Sequence, residues 1–373
     1  MTTTDLSGDA APTLGGTGTF LPLSARSTSK HIKAKAVKNN ATLYLLRDFT
    51  LIWASFPSQF TSTGRLCQVR GIVRWRKSPY ICHRGGELKV RVPASTSNLG
   101  PGFDCIGLAL RLYLTVEVST EGPPSPGCDL VVQGLREAFR RVGRRPPPVS
   151  VRREEAIPEA RGLGSSAAAR IAGLMAGNLL LGEPFGREEL LNMAAELEGH
   201  PDNAAPALFG GLVVAVRTES GVVFSRLDPP SDLSLALAVP DLRSDTSAAR
   251  RLLPEQVPFV DAVYNVGRAS LLVAALMKGD LSLLREATKD RLHQPYRESS
   301  VPGFGKVCEA ALEAGACGVV LSGAGPSMVA LCFGGGREVA EAMVRAWARF
   351  GVRAEPMVLK PDLEGARYVR LQG

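Results

Sequence analysis

The chain has 373 residues, 45% of them hydrophobic and 21% charged, with 44 Lys and Arg against 36 Asp and Glu. That length allows two domains with a substantial core, and no uninterrupted apolar run reaches the roughly 18 residues that suggest a membrane span. The positive excess is local: residues 1–87 hold 12 basic and 4 acidic residues and the rest holds 32 of each, so the body of the chain has no electrostatic reason to seek nucleic acid.

Seven cysteines (Cys67, Cys82, Cys105, Cys128, Cys308, Cys317 and Cys332) are scattered without a Cys-x-x-Cys pair. An odd, dispersed set fits reduced thiols in a cytoplasmic protein rather than a disulfide framework or a zinc site. Residues 1–40, rich in Thr, Ser, Gly and Ala, read as disordered. Residues 41–84 mix short apolar pieces with scattered Arg and two of the three Trp. They read as a targeting peptide for an organelle, as a nucleic-acid-binding tail, or as the product of a start site placed too far upstream. The last is favoured, because organised sequence begins abruptly at Leu88.

From there the chain alternates strand, loop and helix signals. Residues 88–92 read as a strand, followed by a loop of turn formers over 93–104 in which Asn98 and Asp104 are the strong functional groups. Those two serve either turn geometry or a site. A strand over 112–118 follows, then turns, then a short polar strand over 149–155. Next comes the stretch Pro158, Glu159, Ala160, Arg161, Gly162, Leu163, Gly164, Ser165, Ser166, Ala167, Ala168. Alanine and leucine predict a helix over 167–181 with serine at its N-cap, and glycines ahead of it let the backbone approach a ligand. Such a loop is either ordinary or a phosphate cradle at a helix N-terminus. It is not a Walker A loop, since no Lys follows the glycines.

A second helix is predicted over 187–198. Glu196, Glu198, His200, Asp202 and Asn203 then crowd into eight residues before a Gly-Gly turn and a strand over 212–216, a density that points to a site. The second half begins with a strand over 233–240 and a loop carrying Thr246 towards Arg250 and Arg251. Helices are predicted over 259–277, 281–290 and 304–314, with His-Gln-Pro-Tyr-Arg at 293–297 between the last two. Strands over 318–321 and 328–333 flank the small-residue turn 322–327, which is a plain hairpin unless something must approach its backbone. A helix over 337–350 and a strand over 353–359 complete a lobe of antiparallel strands backed by helices.

Three motifs, 93–104, 158–168 and 322–327, occur in the order and spacing of the GHMP kinase superfamily, which residues 89–369 resemble. The homoserine kinase branch is the most similar, through Asn98 with Gly102-Phe103-Asp104, His200-Pro201-Asp202-Asn203-Ala204-Ala205-Pro206, Thr246 with Arg250, and the 293–297 segment. The resemblance implies an α+β fold of two lobes: an N-terminal ATP-binding lobe over 88–230 and a C-terminal ferredoxin-like lobe over 231–373, with the site between. It implies transfer of the γ-phosphoryl of ATP to the hydroxyl of L-homoserine. Loop 158–168 would hold the ATP phosphates, and Ser166 and Glu196 would hold Mg²⁺. Arg250 and Arg297 would take the substrate carboxylate, while Asp104, Asn98 and His200, supported by Thr246, orient its ammonium and hydroxyl. His200 and Asn203 would stand at the reacting centre. Some relatives place an aspartate where this chain has Asn203, and an amide takes no proton. No general base is therefore assigned, and the proton passes to solvent or phosphate; Asp202 reads as a structural cap or as catalytic. A homodimer is implied, with neither nucleic acid nor membrane as partner. The alternative is the same chemistry on another small alcohol (mevalonate-type, shikimate or sugar), against which Arg250 and Arg297 with Asp104 favour an amino-acid acceptor.

Overall fold

The computed structural model describes residues 88–369; the extension read over 1–87 lies outside them, as do residues 370–373. β1 (Leu88–Asn98) pairs antiparallel with β2 (Gly102–Ser119) along its whole length, with register shifts at Pro93/Ala94 and Ser97/Asn98. The segment expected as loop from Pro93 is therefore strand as far as Asn98. Its small residues explain why: Ala94, Ser95, Thr96 and Ser97 are buried, and only short side chains leave room for the 158–168 loop above them. β2 is long because it serves two partners. Ile106–Leu108 pair with one strand, and Leu114–Ser119 with another.

After β2 comes α1 (Leu130–Arg141), which the sequence reading passed over. Asp129 caps it by accepting from the Val131 and Val132 N–H groups. Then follow β3 (Ser150–Glu155), α2 (Ser165–Leu180), α3 (Arg187–Glu198), α4 (Ala204–Phe209), β4 (Leu212–Thr218) and β5 (Gly221–Leu227). α2 and α4 pack on β1 and β2, and α1 and α3 pack on α2. The α1–α2 crossing is close enough that a Cβ on Gly173 would stand 1.9 Å from the Val131 carbonyl oxygen.

The second lobe starts with β6 (Leu233–Pro240), α5 (Thr246–Arg251) and α6 (Phe259–Lys278). The helix expected over 281–290 is broken into a 3₁₀ turn at Leu281–Leu283 and α7 (Leu284–Ala287). Asp290 ends it, because its carboxylate accepts from the N–H groups of Leu292, His293 and Gln294 and so turns the chain. α8 (Gln294–Arg297), α9 (Phe304–Glu313), β7 (Gly318–Leu321), β8 (Met328–Phe333), α10 (Arg337–Ala348), β9 (Ala354–Leu359) and β10 (Arg367–Val369) complete the chain. The second sheet runs β7-β8-β6-β9, all antiparallel, in the ferredoxin-like arrangement.

The first sheet runs β10-β1-β2-β4-β5, with β3 on the far half of β2. β10 thus returns from the second lobe to cover the β1 edge, Arg91 opposite Arg367. The second lobe over 231–373 accordingly gives residues 367–369 back to the first.

α6, with mean hydropathy 1.3, is by length and composition apolar enough to cross a membrane. Polar contacts tie it into the fold instead. Asp261 pairs with Arg291, Arg268 with Glu286, and the buried Asn265 donates to Asp290 at 2.7 Å and to the Pro101 carbonyl at 3.3 Å.

Candidate active site

A cleft of about 620 Å³ opens between the two sheets, walled by the loop ahead of α2, the end of α3, the β1–β2 turn, α5 and the 323–325 turn. Its two ends differ in chemistry.

At one end the chain enters α2 with Ala160, Gly162 and Gly164 at φ of 54°, 79° and 71°. Glycine is required twice here. A Cβ on Gly162 would lie 2.2 Å from the Ser322 carbonyl oxygen, and one on Gly164 2.2 Å from Ser95 Oγ. Ser322 Oγ donates to the Gly162 carbonyl at 2.7 Å and the Ser327 N–H to that of Arg161 at 3.2 Å, so the turn from the second lobe clamps the loop. The hairpin 322–327 is therefore a contact between lobes as well as a turn. Gly164, not a serine, occupies the N-cap of α2, and no side chain caps the helix. Ser165 and Ser166 lie within its first turn, beside a positive dipole end left open to an anion. Glu159, Ala160, Gly162, Gly164, Ser165 and Ser166 line the cleft, whereas Leu163, Ala167 and Ala168 are buried in the core and Pro158 and Arg161 are off its wall.

The carboxylate beside this loop is Glu198, not Glu196. Ser166 Oγ donates to Glu198 Oε2 at 2.9 Å, and Arg170, one turn further along α2, pairs with the same group. Glu196 is half-exposed and pairs with Arg141 away from the cleft. Positions two apart on a helix face different directions, so only one of these two can look into the site. Two i,i+4 partners on α2, Ser166 and Arg170, were the signal in the sequence that a carboxylate faces them. A hydroxyl with one adjacent carboxylate oxygen suits Mg²⁺, which keeps few protein ligands and several waters.

The other end is made of side chains. Asn98 is buried; its Oδ1 accepts from the Asp104 N–H at 3.0 Å and its Nδ2 donates to the Gly323 carbonyl at 3.0 Å. Asn98 and Asp104 sit at φ of 69° and 57°, in the left-handed region that Asn and Asp tolerate best among side-chain-bearing residues. The Asp104 carboxylate takes two hydrogen bonds from Arg250, at 2.8 and 2.9 Å. Arg297, only 2% exposed, donates to the Gly323 and Ala249 carbonyls and to His293 Nδ1. His293 donates from Nε2 to the Gly100 carbonyl at 2.7 Å, which leaves Nδ1 free to accept from Arg297. The Phe103 ring stacks on His293 at 5.1 Å and carries both guanidiniums, each 5.3 Å from its centroid.

His200 and Asn203 join this end to the glycine-loop end. His200 Nδ1 contacts the buried Asp202 carboxylate. Asn203 is clamped by β1, accepting from Ser95 Oγ and donating to Ser97 Oγ, each at 2.9 Å. Thr246, at the start of α5, completes the wall. Burial is the largest influence on His200 and opposes its charging, but the Asp202 hydrogen bond and the charges of Asp202, Asp104 and Glu198 outweigh it and hold the pKa above 6.5. Burial, reinforced by the neighbouring Arg250, pulls the Arg297 pKa below its ordinary value, whereas the Asp104 hydrogen bond raises that of Arg250.

The structure thus gathers Asn98, Asp104, His200, Asn203, Thr246, Arg250 and Arg297 around one cleft and leaves Glu196 out. It adds Glu198, Phe103, Arg153, Glu155 and Arg170 to the wall. Arg153 is half-buried and Glu155 exposed on a short polar strand, a composition that by itself says only that the strand lies at a surface.

A two-lobed fold with an uncapped glycine loop facing a ferredoxin-like lobe defines a small-molecule kinase of the GHMP type. The family model of the GHMP kinases N terminal domain matches residues 129–211, and that of the GHMP kinases C terminal domain matches residues 272–353. The homoserine kinase of Moorella thermoacetica is 44% identical over 290 residues, covering 74% of this chain and 98% of that protein. The crystal structure of homoserine kinase from Cytophaga hutchinsonii is similar with a TM-score of 0.70 and 29% identity, covering 78% of this chain and all of that one. A putative homoserine kinase from Listeria monocytogenes gives a TM-score of 0.62 at 32% identity, over 76% of this chain and all of its own. The chain belongs to the homoserine kinase family of the GHMP kinases.

Proposed function

We propose that this chain transfers the γ-phosphoryl of ATP to the side-chain hydroxyl of L-homoserine, giving O-phospho-L-homoserine and ADP, a step towards threonine. The observation that carries the choice of acceptor is Arg297. Its guanidinium is buried on the cleft wall and has no carboxylate partner among the described residues. A buried cation without a counter-charge is stabilised by an anionic ligand. Arg250 and Asp104 beside it offer a second cation and an anion, which suits an acceptor carrying both an ammonium and a carboxylate. A mevalonate-type, shikimate or sugar acceptor has no ammonium for Asp104.

The roles follow from position. Backbone N–H groups at the start of α2 bind the phosphates. Ser166 and Glu198 would hold Mg²⁺, which when bound neutralises phosphate charge. Arg250 and Arg297 take the substrate carboxylate, Asp104 its ammonium, and Asn98 fixes Asp104. His200 and Asn203 orient the hydroxyl. The oxygen–phosphorus bond to homoserine forms as the bond from Pγ to ADP breaks, and the hydroxyl proton leaves to phosphate or solvent. Alignment and charge neutralisation supply the rate, so no general base is required.

Residues 88–230 form the ATP lobe and the acceptor lobe begins at 231. Residues 1–87 are dispensable for catalysis, in keeping with a Moorella relative matched over 98% of its length by 290 residues. The enzyme works in the cytoplasm, without nucleic acid or membrane, as a homodimer. The dimer is supported by an exposed stripe on α6, where Phe259, Val260, Val263 and Val266 are 56–84% exposed. The test of function is an ATP-coupled assay of the full chain on L-homoserine, L-serine, mevalonate and shikimate. Homoserine should give the highest kcat/KM, and a preference for mevalonate or shikimate overturns the reading.

A further inference from the structure

Asp104 and Arg250 come from different lobes, β2 and α5, and bind each other through two parallel hydrogen bonds of 2.8 and 2.9 Å. Their side chains are 31% and 42% exposed, so both can be reached from the cleft. Among the described residues no other cation hydrogen-bonds the Asp104 carboxylate, and Arg297 beside it hydrogen-bonds no carboxylate. In the substrate-free protein the two groups expected to recognise a zwitterion therefore already satisfy one another.

We infer that the acceptor binds by ion-pair exchange: its carboxylate replaces Asp104 on Arg250, and its ammonium replaces Arg250 on Asp104. This rests on the homoserine reading and adds a rule of selection to it. A zwitterion that separates the pair gives each member a new partner and also supplies a carboxylate for Arg297 to hydrogen-bond. An alcohol with a carboxylate alone must separate the pair and leave Asp104 without its guanidinium partner, or else bind without Arg250. One with an ammonium alone leaves Arg250 unpaired next to Arg297. Breaking a partly desolvated pair on one side costs more than exchanging it on both. The closed pair thus selects against half-matched alcohols, which contacts to the correct substrate alone would not do.

Exchange differs from simple contact in one observable. If Asp104 did no more than touch the ammonium, Asp104→Asn would weaken homoserine and leave a substrate without an ammonium unchanged. Under exchange, the same substitution releases Arg250, and the deaminated analogue 4-hydroxybutyrate improves in absolute terms. Asparagine is at ease at φ 57° and keeps the backbone N–H that bonds Asn98, so the turn survives the change. The converse variant is Arg250→Gln, which releases Asp104 and should favour 3-amino-1-propanol, the analogue without a carboxylate.

The experiment measures kcat/KM of the full-length wild type and both variants at saturating ATP with homoserine and the two analogues, each variant first shown to melt cooperatively. Where an analogue turns over too slowly, its Kd is read by calorimetry. Homoserine should fall at least about tenfold in both variants. 4-Hydroxybutyrate should gain about threefold or more in Asp104→Asn, and 3-amino-1-propanol likewise in Arg250→Gln, gains that correspond to a released ion pair. A gain in either folded variant supports exchange. If neither analogue gains while homoserine remains the wild-type substrate, exchange is overturned and the homoserine reading stands. If the wild type phosphorylates no homoserine, that reading fails and takes exchange with it.

Discussion

At the end of the cleft proposed for the phosphates, one contiguous stretch, 158–168, presents backbone at a helix start. At the end proposed for the acceptor, Asn98, Asp104, His200, Arg250 and Arg297 arrive from separate elements, and the Asp104–Arg250 and Asn98–Gly323 contacts join residues 146 and 225 positions apart. The first end depends on local conformation and on the close approach of two loops. The second depends on long-range charge matching. The difference predicts where each kind of substitution will act: small steric changes should damage ATP binding, and removal of charge should damage acceptor binding.

The largest effect expected is that of Arg297→Ala on homoserine. Loss of a charge-assisted fork costs on the order of 2–4 kcal/mol, or about 30- to 1,000-fold in kcat/KM. The KM for ATP should move little. If both substrates suffer equally in steady-state kinetics, the two ends of the cleft are not independent.

Glu198→Gln should raise the Mg²⁺ requirement and lower kcat by roughly tenfold or more at limiting Mg²⁺. Glu196→Gln, which loses only a surface pair with Arg141, should behave as wild type to within about 1 kcal/mol of stability and without loss of rate. Magnesium titrations of the two variants side by side separate them. A Glu196 variant with the altered requirement would return the metal to the residue first expected.

Gly164→Ala sharpens the phosphate side of the comparison. Its Cβ would meet Ser95 Oγ at 2.2 Å and Asn203 Oδ1 at 3.1 Å, at φ 71°. Strain of about 1–3 kcal/mol is expected, read as a lower Tm and a raised KM for ATP. A variant with unchanged KM for ATP would remove the loop from the nucleotide site.

The smallest effect is one of pH on stability, where two histidines at the acceptor end act in opposite directions. Burial, as the main cause, depresses the His293 pKa below 6.5. Its contribution is complete above pH 6.5 and is lost as pH falls from there through the lowered folded value. The His200 pKa is raised, so its contribution is complete below pH 6.5 and is lost as pH rises through the raised value. Replacing His293 with Gln should flatten the acid side of a Tm–pH profile and leave the alkaline side as it was. An unchanged acid limb would show that His293 stays paired when protonated.

Much of this molecule was legible before folding was considered. Strands 233–240, 318–321 and 328–333 and helix 187–198 coincide with β6, β7, β8 and α3, since apolar runs and helix formers bounded by turn residues determine local conformation. The glycine loop ahead of an alanine-rich helix was legible for the same reason, because φ and helix start are properties of neighbouring residues, though its sequence reads equally as an ordinary loop or a phosphate cradle. What the sequence determined on its own was thus the elements whose signals are local and strong, and the glycine loop ahead of α2; α1, α4, α5, β5 and β10 were not legible in it. Only the tertiary structure decided that residues 93–98 are strand, because small polar side chains read as loop until another segment packs on them. It decided that Glu198 rather than Glu196 faces Ser166, because composition is blind to which side of α3 meets α2. And it decided that Arg250 holds Asp104 while the buried Arg297 hydrogen-bonds no carboxylate among the described residues, because the partners of a charge are chosen by the packing of two lobes far apart in the chain.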